Sequence, residues 1–234
     1  MISESIISKL HSTLPFNERI VRVLKYIPTE EYEFSSEIYL IKTLIGQYVL
    51  KLLDERHIDK NKEEENNSII SKYTSCKVPK IFASDTGWIL MEYIDGIELS
   101  KLIELDAIDL YELEKIAAKL GEYMGEIFIK CRLPDIKVPS LENCNNEVIC
   151  SSSNFSLLPF NVEIMMRQQN NEWCISGMLD LELMKYGDVM EYINFIKASN
   201  VVMLPGIKKR WADVDNRING KYIETLSKYI KSSS

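Results

Sequence analysis

Ile175-Ser176-Gly177-Met178-Leu179-Asp180-Leu181-Glu182, closing at Gly187-Asp188, is the stretch whose reading decides the fold. It ends a longer segment, residues 148–188, in which Phe155-Ser156-Leu157-Leu158-Pro159-Phe160-Asn161-Val162-Glu163-Ile164 comes first. Two short apolar strands are expected here, flanking a loop. Asn161 stands where the first begins and Asp180 just after the second. An amide and a carboxylate so placed suit a magnesium ion carrying phosphates, because magnesium takes one or two hard oxygen ligands from protein and leaves the rest to phosphate and water.

Around this segment, composition sets limits. The 234 residues carry a formal charge of −7, and 46% are hydrophobic, which is enough for one large domain or two lobes. An acidic chain is a poor general binder of nucleic acid, which needs a surplus of Lys and Arg. The N-terminus lacks a basic start followed by an apolar run, and no 18-residue apolar segment occurs, so a cytoplasmic protein without a membrane partner is expected. The five cysteines are scattered without a Cys-x-x-Cys pair and read as free, buried thiols. His11 and His57 are the only imidazoles, and neither has a second ligand at metal spacing, which argues against zinc and against a histidine-dependent hydrolase triad.

The N-terminal residues 1–26 read as a short helix and a strand. Alternation from Ile38 to Leu53 around Gly46 predicts a β-hairpin, in which Lys51 interrupts an apolar strand. A buried ammonium there is costly unless it meets an anion. Residues 54–68, with the run Glu63-Glu64-Glu65-Asn66-Asn67, read as a solvated loop entering an amphipathic helix at Ile69, Ile70 and Tyr73. A second hairpin is expected on either side of Asp85-Thr86-Gly87, ending at Asp95-Gly96. From Tyr111 to Cys131, Leu113, Ile116, Ala117, Leu120, Met124, Ile127 and Phe128 fall at helical spacing. Residues 132–147 read as a loop, and helices are expected over 190–198 and within 211–230.

Strands with one helix up to about residue 94, then mostly helix around a small strand pair, resembles the aminoglycoside phosphotransferase and choline kinase branch of the protein-kinase-like fold. The resemblance covers roughly residues 20–195. It implies an α+β, bilobal protein: a β-rich N-lobe over residues 1–94 and a mainly helical C-lobe over 95–234. Phe34-Ser35-Ser36-Glu37 looks like the nucleotide loop, with Ser35 and Ser36 offering phosphate donors in place of the usual glycines. Tyr48-Val49-Leu50-Lys51 looks like the strand whose lysine pairs with nucleotide phosphates. The resemblance puts the lysine's carboxylate partner on the next helix, at Glu65 first and Glu64 second, while a solvated helix start explains these glutamates equally well. Met91-Glu92-Tyr93-Ile94-Asp95-Gly96 is similar to the interlobe hinge, where backbone groups of Glu92 and Ile94 would meet adenine. An edge hairpin with Met91 and Tyr93 in the core fits the same residues.

The family's catalytic loop carries His-Gly-Asp, four residues, then Asn. Asn161 supplies the last element, and counting back five places Ser156 where the aspartate base should stand. The resemblance further implies that Asp180 chelates magnesium, with Asp188 holding the loop. Two functions are expected to compete. One is a small-molecule kinase that uses Mg2+ with ATP or GTP to phosphorylate a hydroxylated acceptor; the chain's acidity would attract a cationic one. The other is a pseudokinase that binds nucleotide and works through a protein partner. A serine cannot serve as base near neutral pH, so the first would be slow or inactive.

Overall fold

The computed structural model describes residues 8, 10, 14, 19–26, 36–53, 60–85, 87–132, 137–139, 147–149, 155–159, 162–198 and 216–232. In order these form β1 (Ile20–Lys25), β2 (Ser36–Thr43), β3 (Gln47–Leu53), α1 (Lys60–Tyr73), β4 (Ile81–Asp85), β5 (Trp88–Glu92), β6 (Ile97–Glu98), α2 (Leu99–Glu104) and α3 (Leu110–Lys130). There follow β7 (Lys137–Pro139), β8 (Glu147–Ile149), β9 (Phe155–Leu158), β10 (Glu163–Gln169), β11 (Glu172–Leu179), β12 (Lys185–Asp188), α4 (Val189–Ala198) and α5 (Asn216–Ser232). The chain divides into two compact units, residues 1–67 with 79–94, and residues 68–78 with 95–234. Residues 68–78, counted with the N-lobe on sequence grounds, thus pack with the second unit.

The first unit holds an antiparallel five-stranded sheet in the order β1-β2-β3-β5-β4. Alternation sends Tyr39, Ile41, Tyr48, Leu50, Trp88 and Leu90 to one face, where Leu10 and Leu14 complete a small core. The opposite face carries Lys51 beside Ile89, its cross-strand partner, and Met91. Gly87 closes the second hairpin at φ +87°, a conformation that favours glycine. The helix α1 begins at Lys60, well before the expected entry at Ile69. Its buried positions are Glu63, Asn66, Asn67 and Ile70, a one-face helical spacing filled largely by polar side chains.

The second unit is organised by α3. Asp109 accepts from the Glu112 backbone N–H at 2.8 Å, and the Glu112 side chain returns to the Asp109 N–H, forming a capping box. Its apolar stripe packs with Leu157, Ile164, Met178 and with Ile218, Tyr222 and Leu226 of α5. Contact with α5 is close because Gly121 and Gly125 lie one turn apart on α3. A Cβ at Gly121 would stand 2.7 Å from the Tyr222 carbonyl oxygen, and one at Gly125 would stand 2.8 Å from the Tyr229 ring. Glycine costs a helix interior about 1 kcal/mol against alanine, which this backbone approach offsets. Within residues 132–147, expected to form a loop, lies β7, which pairs antiparallel with β8 at the end of that stretch.

Candidate functional site

Lys51 is buried on β3, and its ammonium donates to Glu63 Oε2 at 3.0 Å; Glu63 is buried as well. The expected partner Glu65 is exposed, and Glu64 instead accepts from the Ser84 hydroxyl at 2.6 Å. The correction has a simple cause. Glu63 precedes Ile70 by seven residues and shares its face, whereas Glu65 is turned away by about 200° at 100° per residue. The signal lay in the sequence, in the seven-residue spacing back from the buried isoleucine. Asn67 supports the same turn by donating to the Glu63 carbonyl at 2.8 Å.

On β5, Met91 is buried and Glu92 is half-buried. The Glu92 N–H donates to the Lys80 carbonyl at 2.8 Å, and its carboxylate accepts from the Lys80 N–H at 3.1 Å. That N–H is therefore spent on Lys80, which leaves the Glu92 carbonyl as its backbone group for the expected hinge contact. Ile94 follows β5 as a buried residue outside any strand. Of the two expected phosphate donors, Ser36 opens β2 and Ser35 lies outside the described residues.

The deciding stretch is a hairpin. β10 and β11 pair antiparallel from Glu163↔Leu179 to Gln169↔Glu172, turning through Asn170 and Asn171 at φ 53° and 64°. Both left-handed residues are asparagines, which tolerate that region. The register pairs Leu179 at the end of β11 with Glu163 at the start of β10, so Asp180 emerges one residue beyond that pair. Asp180 is itself left-handed at φ 57°, ψ 48°, and half-buried. Asn161 lies outside the described residues. Asp188 accepts from the Met190 and Glu191 N–H groups at 2.7 and 3.0 Å, capping α4 rather than facing a ligand.

Ser156 departs most from expectation. It lies within β9, opposite Gly187 of β12, and is wholly buried. Its hydroxyl stands 3.0 Å from the Ile127 carbonyl and 3.1 Å from that of Cys131, sharing one proton between two acceptors at the end of α3. Arg132 Nε supports the same end by donating to the Phe128 carbonyl at 3.1 Å. Ser156 is thus a brace between α3 and β9 and presents no group to an acceptor.

The titratable groups nearby follow their surroundings. Burial pushes the Cys76 thiol up to about 12 and Cys131 up to about 11, so both stay protonated at neutral pH. Cys174 is exposed, contrary to the expected burial of all thiols, and Cys144 and Cys150 lie outside the described residues. Burial alone would raise the Glu126 carboxyl, but Lys130 at 2.6 Å and the Ser75 hydroxyl at 2.5 Å together hold it below its usual value. Burial pushes Tyr192 up to about 12 and Tyr222 well above the phenol range.

Among the described residues, no group of three or more His, Cys, Asp or Glu side chains is placed to hold a metal ion. An all-protein cage is therefore not the fit. A magnesium ion that arrives on phosphates needs one or two carboxylates, and Asp180, partly open at a hairpin end, suits that.

No family model matches the sequence, and no curated protein matches it. Solved structures do. The streptomycin–ATP ternary complex of the aminoglycoside phosphotransferase APH(2")-IIa superposes with a TM-score of 0.61 at 12% identity, covering 100% of this chain and 86% of that one. The chain has the protein-kinase-like fold of the aminoglycoside phosphotransferases and choline kinases. The ADP-bound aminoglycoside phosphotransferase APH(2'')-Ib gives 0.60 at 11% identity, covering 99% and 86%. Choline kinase from Cryptosporidium parvum Iowa II gives 0.60 at 12%, covering 98% and 79%. At such identities the likeness carries this α+β kinase-like fold and no substrate. Within that fold, three features escaped the sequence reading: the Glu63 partnership, the brace at Ser156 and the glycine pair of α3.

Proposed function

We propose that the protein binds a magnesium–nucleotide, ATP or GTP, as an aminoglycoside-phosphotransferase-like small-molecule kinase whose phosphoryl transfer to a hydroxyl is slow or absent. The observation that carries the reading is the buried Lys51–Glu63 pair at 3.0 Å. A buried ion pair contributes little net stability, so its presence on a central strand supports a role beyond folding. Lys51 would neutralise nucleotide phosphate charge, and Ser36, with Ser35, would donate to it. Met91 and Ile94 would border the base, with Glu92 contributing its carbonyl alone. Asp180, with Asn161, would hold magnesium, which when bound supplies charge neutralisation to the phosphates.

Ser156 favours the second reading. With its hydroxyl committed to two backbone carbonyls, the counted position of the base offers no proton acceptor. General-base assistance is worth about 10²–10⁴-fold, so transfer without it is slow. A pseudokinase that binds nucleotide and acts through a protein partner fits the same residues. The decisive experiment is a thermal-shift titration with ATP and GTP, with and without magnesium, on wild type and Asp180→Ala. Magnesium-dependent stabilisation that the variant loses supports the site; none with any nucleotide sinks it. Phosphate transfer to a panel of hydroxylated acceptors, cationic ones included, then separates kinase from pseudokinase.

A further inference from the structure

The turn between β2 and β3 carries a surface that nucleotide binding does not use. Its tip is Leu44-Ile45, each 73% exposed, and Val21 at the bulge in β1 is 61% exposed. The turn is closed by the Thr43 N–H donating to the Gly46 carbonyl at 2.9 Å, with the Thr43 hydroxyl accepting from the Gly46 N–H at 2.9 Å. Neither tip residue has positive φ. The backbone would therefore accept almost any polar residue there, and the aliphatic choice has no conformational cause.

Three basic residues gather at the same end, at β1 and β2. The acidic residues nearby are Glu18, in the sequence before Arg19, and Glu92, two strands away and opposite Tyr48. Arg22 lies directly opposite Lys42, Lys42 is flanked on its other side by the neutral Gln47, and Arg19 precedes Ile20, which faces Thr43. None of the three forms an ion pair among the described residues. Like charges facing each other across an antiparallel pair are destabilising by themselves. In a chain of net charge −7, a local basic cluster around exposed aliphatic side chains is complementary to an anionic surface with an apolar interior.

We propose that the β2–β3 tip docks on an anionic lipid bilayer, with Leu44, Ile45 and Val21 entering the acyl boundary and Arg19, Arg22 and Lys42 meeting the headgroups. The expectation of no membrane partner rested on the lack of an apolar span. Indeed no helix among the described residues is long and apolar enough to cross a membrane, but surface contact needs only a tip of this kind. A nucleic acid would match the charge and leave the aliphatic tip in water, so lipid is the better occupant.

The test is flotation of the full chain with phosphatidylcholine vesicles, plain or containing about 30 mol % phosphatidylserine. Wild type is expected to float with the phosphatidylserine vesicles alone. Leu44→Ser/Ile45→Ser should weaken that binding by about tenfold or more, and Arg22→Gln/Lys42→Gln by about fivefold per charge removed while flattening the salt dependence. Circular dichroism should stay at wild-type values for both pairs, and Tm should not fall, with the Arg22/Lys42 pair rising slightly as the facing like charges are removed. Equal flotation on the two vesicle types, or full binding by the tip variant, overturns the proposal. So does a wild-type oligomer that the tip variant dissolves without any vesicle binding, which assigns the tip to self-association.

Discussion

Replacing Ser156 by aspartate separates two readings of the same residue. If position 156 faces an acceptor, the carboxylate restores a base and sits in solvent. If it braces α3, the carboxylate is placed in a fully buried site within about 3 Å of two carbonyl oxygens, at the negative end of a helix dipole. The magnitudes follow from that geometry. Ser156→Ala removes one donor and orphans two buried acceptors, costing about 1–3 kcal/mol. Ser156→Asn can still donate and stays near that range or below. Ser156→Asp buries an unpaired charge, costing about 3–5 kcal/mol at pH 7. The sign of the pH dependence is fixed too. A carboxyl in this site is pushed above its unfolded value of about 3.9, so the folded state binds more protons and stability falls as pH rises. Urea unfolding of the Asp and Asn variants should nearly coincide at about pH 4 and separate progressively towards pH 7. Equal midpoints for the two at pH 7 would refute the brace and return Ser156 to the catalytic loop.

Two further outcomes test the packing. Glu63→Gln should cost about 3–5 kcal/mol by removing the carboxylate that faces a buried ammonium, whereas Glu65→Gln, on the exposed side of α1, should stay within about 0.5 kcal/mol in urea unfolding. Gly220→Ala, where an added methyl meets nothing within 4 Å, should raise Tm through about 0.5–1 kcal/mol of helix propensity; Gly121→Ala should fail to do so, because overpacking against the Tyr222 carbonyl costs about 1–3 kcal/mol.

The kinase-like architecture was legible because period-2 and period-3.6 patterns were strong. The hairpins around Gly46 and Gly87 and the stripe from Leu113 to Phe128 each bury a face that hydropathy alone reveals. Where burial is polar, the same reading failed. The inner face of α1 is Glu63, Asn66 and Asn67, and an apolar pattern assigns such residues to solvent, so the helix start and the lysine's partner were misplaced. At Ser156 the counting from Asn161 was sound as arithmetic. It carried no information on β9 pairing with β12 or on the end of α3, and those contacts decide where the hydroxyl points. The strand that precedes Asp180 was legible, because alternation marks the existence of a strand well, and Asp180 follows directly on β11.

The glycine-lined face of α3 also sets the order in which the molecule can be made. Residues 222–229, which fill that face, leave the ribosome about 100 residues after α3 itself, roughly 5–20 s later at ordinary elongation rates. Until then α3, the longest helix among the described residues, lacks the residues that cover Gly121 and Gly125. A chain that ends before Tyr222 therefore leaves the apolar stripe of α3 without its partner, and such a truncation exposes surface that the full chain buries.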